Sequence, residues 1–221
     1  MMRILSRSLL VWPAVLAACV VSEATGVSIP APAVDLPLSA PGTKQTAVIA
    51  GGCFWGVEAV FEHVRGVSLS MSGYAGGTAS TANYAAVSTG RSGHAEAVQV
   101  TFDASQLTYG QVLHIFFSVA HDPTELNRQG PDVGPQYRSA IFVAGADQER
   151  VARAYVEQLD AAGAFRRKIV TGIVPLARFF PAEDDHQDYA ARHPDDLYIR
   201  INDAPKVVAL ARTFPQLYVK R

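Results

Sequence analysis

Hydrophobic and polar positions follow two different periods along this chain, and the switch between them predicts the fold class. Val67, Leu69 and Met71 alternate with serines, which is typical of a half-buried strand, whereas Phe54 begins an apolar series at helical spacing that ends at Val64. The same patterns predict strands at residues 46–50, 67–72, 96–102, 139–144 and 169–176, and helices at residues 54–64, 109–120 and 147–162. Because strands and helices are intermingled, we expect an α+β fold, a two-layer sandwich of one mixed β-sheet with packed helices.

The first 24 residues have the pattern of an export signal. Arg3 and Arg7 precede an apolar run at residues 9–16, and small residues follow it. The run is shorter than the roughly 20 residues that span a bilayer, so we do not count it as part of the fold. It ends in Leu-Ala-Ala-Cys at residues 16–19, which resembles the lipobox of bacterial lipoproteins, in which the cysteine, here Cys19, becomes the lipidated first residue.

Two alternatives to lipidation of Cys19 stay open. Ser-Glu-Ala at residues 22–24 also offers small residues to a signal peptidase, which would give plain secretion after cleavage at Ala24, and Cys19 could also be incidental. Lipidation of Cys19 and cleavage after Ala24 would each remove Cys19 from thiol chemistry and leave Cys53 as the one working cysteine. We therefore expect an exported protein of the periplasm or cell envelope, whose membrane contact is confined to a possible N-terminal lipid.

The rest of the chain divides into a tether and one domain. Prolines without large apolar neighbours predict an extended, Pro-rich tether at residues 25–45, and a single domain at residues 46–221. An apolar content of 49% is sufficient for one core. The 19 basic and 20 acidic residues are mixed and give a net charge of −1, which argues against nucleic acid as a partner. We expect a monomer.

Cys53 lies where a predicted strand ends and a predicted helix begins. The amides and positive end of a helix favour a thiolate, so we predict a lowered pKa and a nucleophilic sulfur at this position. Gly51 and Gly52 allow a tight turn that leaves the thiol approachable, while Phe54 and Trp55 offer aromatic surface to a small apolar group. The alternative is that Cys53 is a buried and inert small hydrophobe.

Glu96 is the second candidate for chemistry because of its place in a predicted strand. It shares a face with Val98, Val100 and Phe102, so a carboxyl group begins an otherwise apolar face. An apolar environment disfavours the carboxylate, so we predict a raised pKa and a group that holds a proton at neutral pH. Such an acid could protonate an oxygen that leaves as a thiolate attacks.

Gly-Gly-Cys-Phe-Trp-Gly at residues 51–56 resembles the signature of the A-type peptide methionine sulfoxide reductases. Further motifs of that family stand in its order and approximate spacing. They are Gly-Tyr-Ala-Gly-Gly at 73–77, Asn-Tyr at 83–84, Gly-His-Ala-Glu at 93–96, Gln-Gly at 129–130, Asp132, Gln-Tyr-Arg-Ser at 136–139 and Asp-Asp-His-Gln at 184–187. The similarity covers residues 46–195. With this resemblance, we expect a catalytic domain with a ferredoxin-like core.

The resemblance implies a role for each matching residue. Cys53 would attack the sulfur of methionine-S-sulfoxide and become a sulfenic acid as methionine departs, with Glu96 as the acid. The implied substrate-binding residues are Tyr84 and Tyr137, which would hydrogen-bond the sulfoxide oxygen, Phe54 and Trp55, which would hold the methyl group, and Asp132, which would help to order the site. No bound cofactor is expected, and the substrates would be oxidised proteins or peptides, or the free amino acid.

The sequence departs from the family pattern after residue 194. Many relatives have a tyrosine followed by a cysteine there, and a tail with a recycling cysteine, whereas here Ile199 follows Tyr198. Because no cysteine follows Cys53, the sulfenic acid would need an external thiol reductant, either a thioredoxin-like protein or a small thiol. The role of residues 195–221 stays open.

Other functions remain as rivals. The chain could be another thiol oxidoreductase such as a peroxidase, or a non-catalytic lipoprotein in which Cys53 is inert. The acidic residues and His186 at residues 183–188 could suggest a metal site, although we favour a wall of the active site, with Tyr189 lining it. His94 is expected to be structural, and no metal site is predicted.

Overall fold

The computed structural model describes residues 28–221. The predicted export signal and Cys19 lie outside these residues. The helices and strands are β1 (Lys44–Ala50), α1 (Phe54–Glu62), β2 (Val67–Ala75), α2 (Tyr84–Val87), β3 (Ala95–Asp103), α3 (Tyr109–Ile115), β4 (Arg128–Gln129), β5 (Asp132–Val133), β6 (Ala140–Val143), α4 (Ala146–Ala161), β7 (Gly172–Pro175), β8 (Phe179–Pro181), α5 (Tyr189–Arg192) and α6 (Ala204–Thr213). Each strand and helix predicted from the pattern is present, with small shifts at the ends.

One mixed sheet organises the domain. Its strand order is β7-β6-β1-β3-β2-β8, and β6 pairs with β7 in parallel while the other neighbours are antiparallel. The four central strands, β6-β1-β3-β2, have the order of a ferredoxin-like core, because α1 connects β1 to β2 and leaves room for β3 between them. The predicted α+β fold with a mixed sheet and packed helices is confirmed. The short strands β4 and β5 form a separate hairpin.

The helices cover one face of this sheet. Alternate residues of β1 and β3, such as Ile49, Val98 and Val100, enter the large core cluster together with apolar residues of α1, α3, α4 and α6. The other face carries a small cluster built mainly from alanines and Phe142. Helix α3 begins at a capping box, in which Thr108 and Gln111 satisfy each other's backbone amides. A π-helical turn, Phe116–Ala120, then continues α3 into the core beneath the turn at Gly51 and Gly52.

The segment predicted as a tether lies against the domain over its described part. Residues 28–43 form neither helix nor strand, as expected from their prolines. Ile29 is nevertheless buried, and the Tyr155 hydroxyl donates a hydrogen bond to the Pro30 carbonyl at 2.9 Å. Asp35 accepts a hydrogen bond from the Gly110 amide at 2.7 Å. These partners on α3 and α4 hold the segment along the helical layer, which the composition alone did not indicate.

The C-terminal segment, residues 195–221, is part of the same domain. A π-helical turn, Ile199–Asp203, leads directly into α6, whose Leu210 is fully buried in the main core. Phe214 follows it and packs edge-on against His114 of α3. The segment that replaces the expected tail is therefore folded against α1 and α3. Between residues 28 and 221, no helix has the length and apolar content needed to cross a membrane.

Candidate active site around Cys53

Cys53 is the N-cap residue of α1, directly after the turn that follows β1. Gly52 has a φ of +93°, and a Cβ at this position would lie 2.5 Å from the Gln129 side chain, so only glycine fits without strain. The turn aims the cysteine at the start of the helix, as predicted. Only 8% of the Cys53 surface is exposed, so its sulfur lies in a nearly closed site.

The electrostatic environment of Cys53 differs from the prediction. Burial raises the pKa of the thiol well above its usual value, and the negative charges of Glu96 and Asp203 raise it further. The Trp55 amide and the Lys206 ammonium lower it, but by less. The predicted lowering of the Cys53 pKa is therefore wrong, because the favourable helix end is outweighed by loss of water and by two nearby carboxyl groups.

Glu96 is placed as the strand phase predicts. It lies on the helix-facing side of β3 with only 2% of its surface exposed, and its Oε2 accepts a hydrogen bond from the Phe54 amide at 3.2 Å. Burial raises the pKa of Glu96 to about 8, with further contributions from the charges of Asp132 and Asp203, although the Phe54 amide lowers it. The carboxyl group therefore carries a proton at neutral pH and lies beside the residue that follows Cys53.

Two tyrosines face the same space. Tyr84 is the first residue of α2 and 40% exposed, and Tyr137 ends a 3-10 turn, Pro135–Tyr137. Burial raises the pKa of both phenols, and the charges of Glu96 and Cys53 raise both further. Both hydroxyl groups are therefore protonated hydrogen-bond donors at neutral pH. The structure brings these two predicted residues together with Cys53 and Glu96.

The two aromatic residues after Cys53 have different environments. Phe54 is almost fully buried, with its ring centroid 5.9 Å from that of Tyr74. Trp55 is half-buried and stacks on Tyr189 at a centroid distance of 3.8 Å, and the ring of Tyr198 meets it edge-on. Trp55 thus belongs to an aromatic wall at the edge of the site. The sequence indicated Tyr189 in this wall, but it did not indicate Tyr198.

Asp132 is held by the C-terminal segment. The Tyr198 hydroxyl donates a hydrogen bond to Asp132 Oδ2. Burial raises the pKa of Tyr198, and the charges of Cys53 and Asp132 contribute, so the phenol stays protonated and the bond is kept. Tyr198 was visible in the sequence only as the residue before Ile199. Its role needed the fold of residues 195–221, for which no local pattern was available.

Glu183 is a further site residue that the sequence did not assign. Its Oε2 accepts a hydrogen bond from the Tyr74 hydroxyl at 2.7 Å, and its Oε1 accepts one from the Tyr84 amide at 2.8 Å. Glu183 therefore fixes the start of α2 relative to β2. The His186 ring lies 4.5 Å from that of Tyr84, so residues 183–189 form a wall of the site, as we favoured. No group of three metal-ligating side chains is arranged for a metal ion within residues 28–221.

The comparisons with known proteins agree on one family. The model of the family described as peptide methionine sulfoxide reductase matches residues 45–217. A Mesorhizobium japonicum protein named peptide methionine sulfoxide reductase MsrA 2 is 52% identical over 83% of this chain and 93% of its own length. The solved structure of methionine sulfoxide reductase A of Corynebacterium diphtheriae is similar, with a TM-score of 0.59 and 36% identity over 77% of this chain and 87% of that one. The solved structure of reduced Mxr1 from Saccharomyces cerevisiae is also similar, with a TM-score of 0.61 and 33% identity over 70% of this chain and 88% of that one.

Proposed function

This chain belongs to the peptide methionine sulfoxide reductase family, and on that premise we propose that it reduces methionine-S-sulfoxide in proteins and peptides to methionine. The observation that carries the proposal is the pairing of Cys53 with Glu96. The cysteine caps α1, and the Glu96 carboxyl accepts a hydrogen bond from the amide of the next residue, Phe54, at 3.2 Å. A nucleophile and a protonated acid are thus held at the same helix end.

The reaction transfers one oxygen atom to the cysteine. The Cys53 sulfur attacks the sulfoxide sulfur while Glu96 gives its proton to the sulfoxide oxygen. The oxygen then passes to Cys53 as the S–O bond of the substrate breaks. Methionine leaves, the Cys53 thiol has become a sulfenic acid, and Glu96 recovers a proton from the thiol. Two electrons move from the cysteine sulfur to the methionine sulfur, so no bound cofactor is needed.

The surrounding side chains orient the substrate. The hydroxyl groups of Tyr84 and Tyr137 would donate hydrogen bonds to the sulfoxide oxygen, which becomes more negative as the sulfur is attacked. Trp55 and the buried Phe54 would supply apolar contact for the terminal methyl group. Asp132, held by Tyr198, would order this side of the pocket. The chiral arrangement of oxygen donors and methyl site supports selection of one sulfoxide epimer.

The sulfenic acid would be reduced by another molecule. Cys53 is the free cysteine within residues 28–221, and the second cysteine of the sequence, Cys19, lies in the predicted export signal. An internal disulfide therefore has no partner in the mature domain. The external reductant would be a thioredoxin-like protein or a small thiol. One thiol attacks the sulfenic sulfur, releases water and forms a mixed disulfide with Cys53, and a second thiol then breaks that disulfide and frees the Cys53 thiol.

The N-terminal pattern supports a location of this repair activity outside the cytoplasm. We propose that residues 1–24 direct export, that Cys19 carries a lipid, and that residues 25–45 connect this anchor to the domain at residues 46–221. The substrates would then be oxidised proteins of the periplasm or cell envelope. Mass spectrometry of the mature N-terminus tests this directly. A lipid-modified Cys19 supports the proposal, and an unmodified chain that begins after Ala24 contradicts the anchor.

Single-turnover kinetics test the proposed reaction. The enzyme is mixed with a peptide that carries either the S or the R epimer of methionine sulfoxide, without reductant, and a dimedone-type reagent then traps sulfenic acid. We expect one methionine per enzyme from the S epimer, no methionine from the R epimer, and the adduct on Cys53. Cys53→Ser should form no methionine, because the acceptor of the oxygen is lost. Equal turnover of both epimers, or methionine formation by Cys53→Ser, would overturn the proposal.

A further inference from the structure

The C-terminal segment brings a buried ion pair to the helix that Cys53 caps. Asp203 ends the π-helical turn before α6, and Lys206 lies one turn later, with its Nζ 3.0 Å from Asp203 Oδ1. The Asp203 side chain is fully buried, and that of Lys206 is 14% exposed. The second carboxylate oxygen of Asp203 has no hydrogen-bond partner. A charge pair in such a place costs solvation free energy, and its effect on stability alone is small or unfavourable.

Gly56 makes the close approach of this pair possible. A Cβ at Gly56 would collide with Asp203 Oδ1 and would lie 2.6 Å from Lys206 Nζ. Gly56 is the third residue of α1, and Cys53 is its N-cap, so the pair packs against the first helical turn. One turn of an α-helix advances about 5.4 Å. The carboxylate and the ammonium are therefore near neighbours of the nucleophile.

The two charges act on the cysteine in opposite directions. Lys206 lowers the pKa of the Cys53 thiol, whereas Asp203 raises it. Lys206 also lowers the pKa of His121, whose ring lies against Gly51 on the other side of the glycine turn. Its positive charge thus reaches both ends of the turn that carries Cys53. In a buried site, such charges are screened far less than at a surface.

We propose that Asp203 and Lys206 are a positioning pair for the nucleophile, in which the Lys206 ammonium favours the Cys53 thiolate and the Asp203 carboxylate opposes it. No hydrogen bond within residues 28–221 joins the pair to the Cys53 sulfur, and the pair packs against Gly56 in the first turn of α1. Its role rests on the proposed function only in that the thiolate fraction of Cys53 affects the rate of attack on the sulfoxide. The segment that stands in place of a cysteine-bearing tail would thus supply charge control of Cys53.

Other ionisable groups also face Cys53 and must be held constant in a test. Glu96 comes from β3, and its carboxyl group titrates at about pH 8. The remaining groups, from β5, α2, the 3-10 turn, α5 and the C-terminal segment, are Asp132, Tyr84, Tyr137, Tyr189 and Tyr198. Below pH 7, Glu96 and the four phenols are protonated. Differences between variants in that range then report the charges of Asp203 and Lys206.

The test is the rate of Cys53 alkylation by iodoacetamide between pH 6 and 7, where the rate is proportional to the thiolate fraction. Lys206→Met should slow alkylation roughly tenfold or more, and Asp203→Asn should accelerate it by a similar factor, because one pKa unit is a tenfold change in thiolate. Lys206→Arg keeps the charge and should restore most of the rate. The matched control is Lys44→Met, an exposed lysine at the far end of β1 that should leave the rate unchanged.

Opposite shifts separate charge control from a structural role, since loosening of the fold would expose Cys53 and accelerate alkylation in every variant. Rates that match wild type in Lys206→Met, or shifts of the same sign in both variants, would overturn the inference. If Asp203→Asn fails to fold, the comparison of alkylation rates between Lys206→Met and Lys44→Met still decides the question. Alkylation needs no sulfoxide, so it stands apart from the proposed function. That function fails instead if wild type releases no methionine in single turnover.

Discussion

Replacing Glu96 by glutamine tests the acid of the proposed reaction. Glutamine has nearly the same shape and keeps an oxygen that can accept the 3.2 Å hydrogen bond from the Phe54 amide, so the fold around α1 should be retained. It cannot give up a proton at neutral pH. General acid catalysis contributes roughly 10²–10⁴-fold, and a hundredfold loss is about 2.7 kcal/mol of barrier. We therefore expect single-turnover methionine formation at pH 7 to slow by at least about 100-fold.

The pH dependence gives a second readout of the same substitution. Because the pKa of Glu96 is raised to about 8, roughly nine-tenths of the wild-type protein holds the proton at pH 7 and roughly one-tenth at pH 9. The wild-type rate should thus fall nearly tenfold between these two values. Glu96→Gln should lack that fall, because no group at this position titrates. The assay is rapid-quench measurement of methionine from an S-sulfoxide peptide.

Glu58→Gln provides a matched control for the Glu96 variant. Glu58 is also buried, lies on α1, and has a pKa raised by burial to about 7, but it accepts its hydrogen bonds from the amides of Ser72 and Asp188 rather than from the amide that follows Cys53. This variant should keep the wild-type rate at pH 7. A Glu96→Gln rate within threefold of wild type, or a fall between pH 7 and 9 that persists in it, would refute the reasoning.

Further predictions concern three residues that pack around the site, Glu58, Gly56 and Glu183. The Glu58 pKa is raised from 4.5 to about 7, so the wild-type protein loses stability as the pH rises through that range. The loss in unfolding free energy between pH 5 and 8 should be smaller by roughly 2–3 kcal/mol in Glu58→Gln than in wild type, measured by urea denaturation. Gly56→Ala should destabilise the protein by about 1–3 kcal/mol because its Cβ collides with the buried ion pair, whereas Gly172→Ala, which meets only ordinary contacts, should cost less than about 1 kcal/mol in the same assay. Glu183→Ala should slow single turnover by about threefold to tenfold, because the Tyr84 amide loses its hydrogen-bond acceptor. Glu183→Gln should recover part of the rate. Equal rates in wild type and Glu183→Ala would contradict this prediction.

The sequence predicted those parts of the site that are set by local periodicity. The strand phase of Glu96 was sufficient to place a carboxyl group on a buried face, because side chains alternate strictly along β3, and the raised pKa followed from that burial. The position of Cys53 at a strand-to-helix turn was equally local. The helices and strands around them were found for the same reason, since apolar periods are long and clear in this half of the chain.

The parts that were missed depend on contacts between distant segments. Tyr198 and the Asp203–Lys206 pair come from the C-terminal segment, and their place beside α1 is set by packing of Leu210 and Phe214 into the main core. No short pattern encodes that docking. The same contacts explain why the predicted lowering of the Cys53 pKa was wrong. A helix end alone favours a thiolate, but in the fold burial reverses this effect, and Glu96 from β3 and Asp203 from the C-terminal segment add to the reversal.

A neutral thiol beside a neutral acid favours sulfoxide over peroxide as the oxidant. Burial raises the pKa of both Cys53 and Glu96, so the resting site carries few thiolates at neutral pH. Peroxide is attacked by the thiolate, and a buried thiol reacts slowly with it. In the proposed reaction, a sulfoxide oxygen would take a proton from Glu96, and the carboxylate that remains would accept the thiol proton, so the nucleophile would form only when substrate is present. We therefore expect Cys53 to be oxidised faster by an S-sulfoxide peptide than by hydrogen peroxide at equal concentration and pH 7, measured by sulfenic acid trapping. The opposite order of rates would favour a peroxidase.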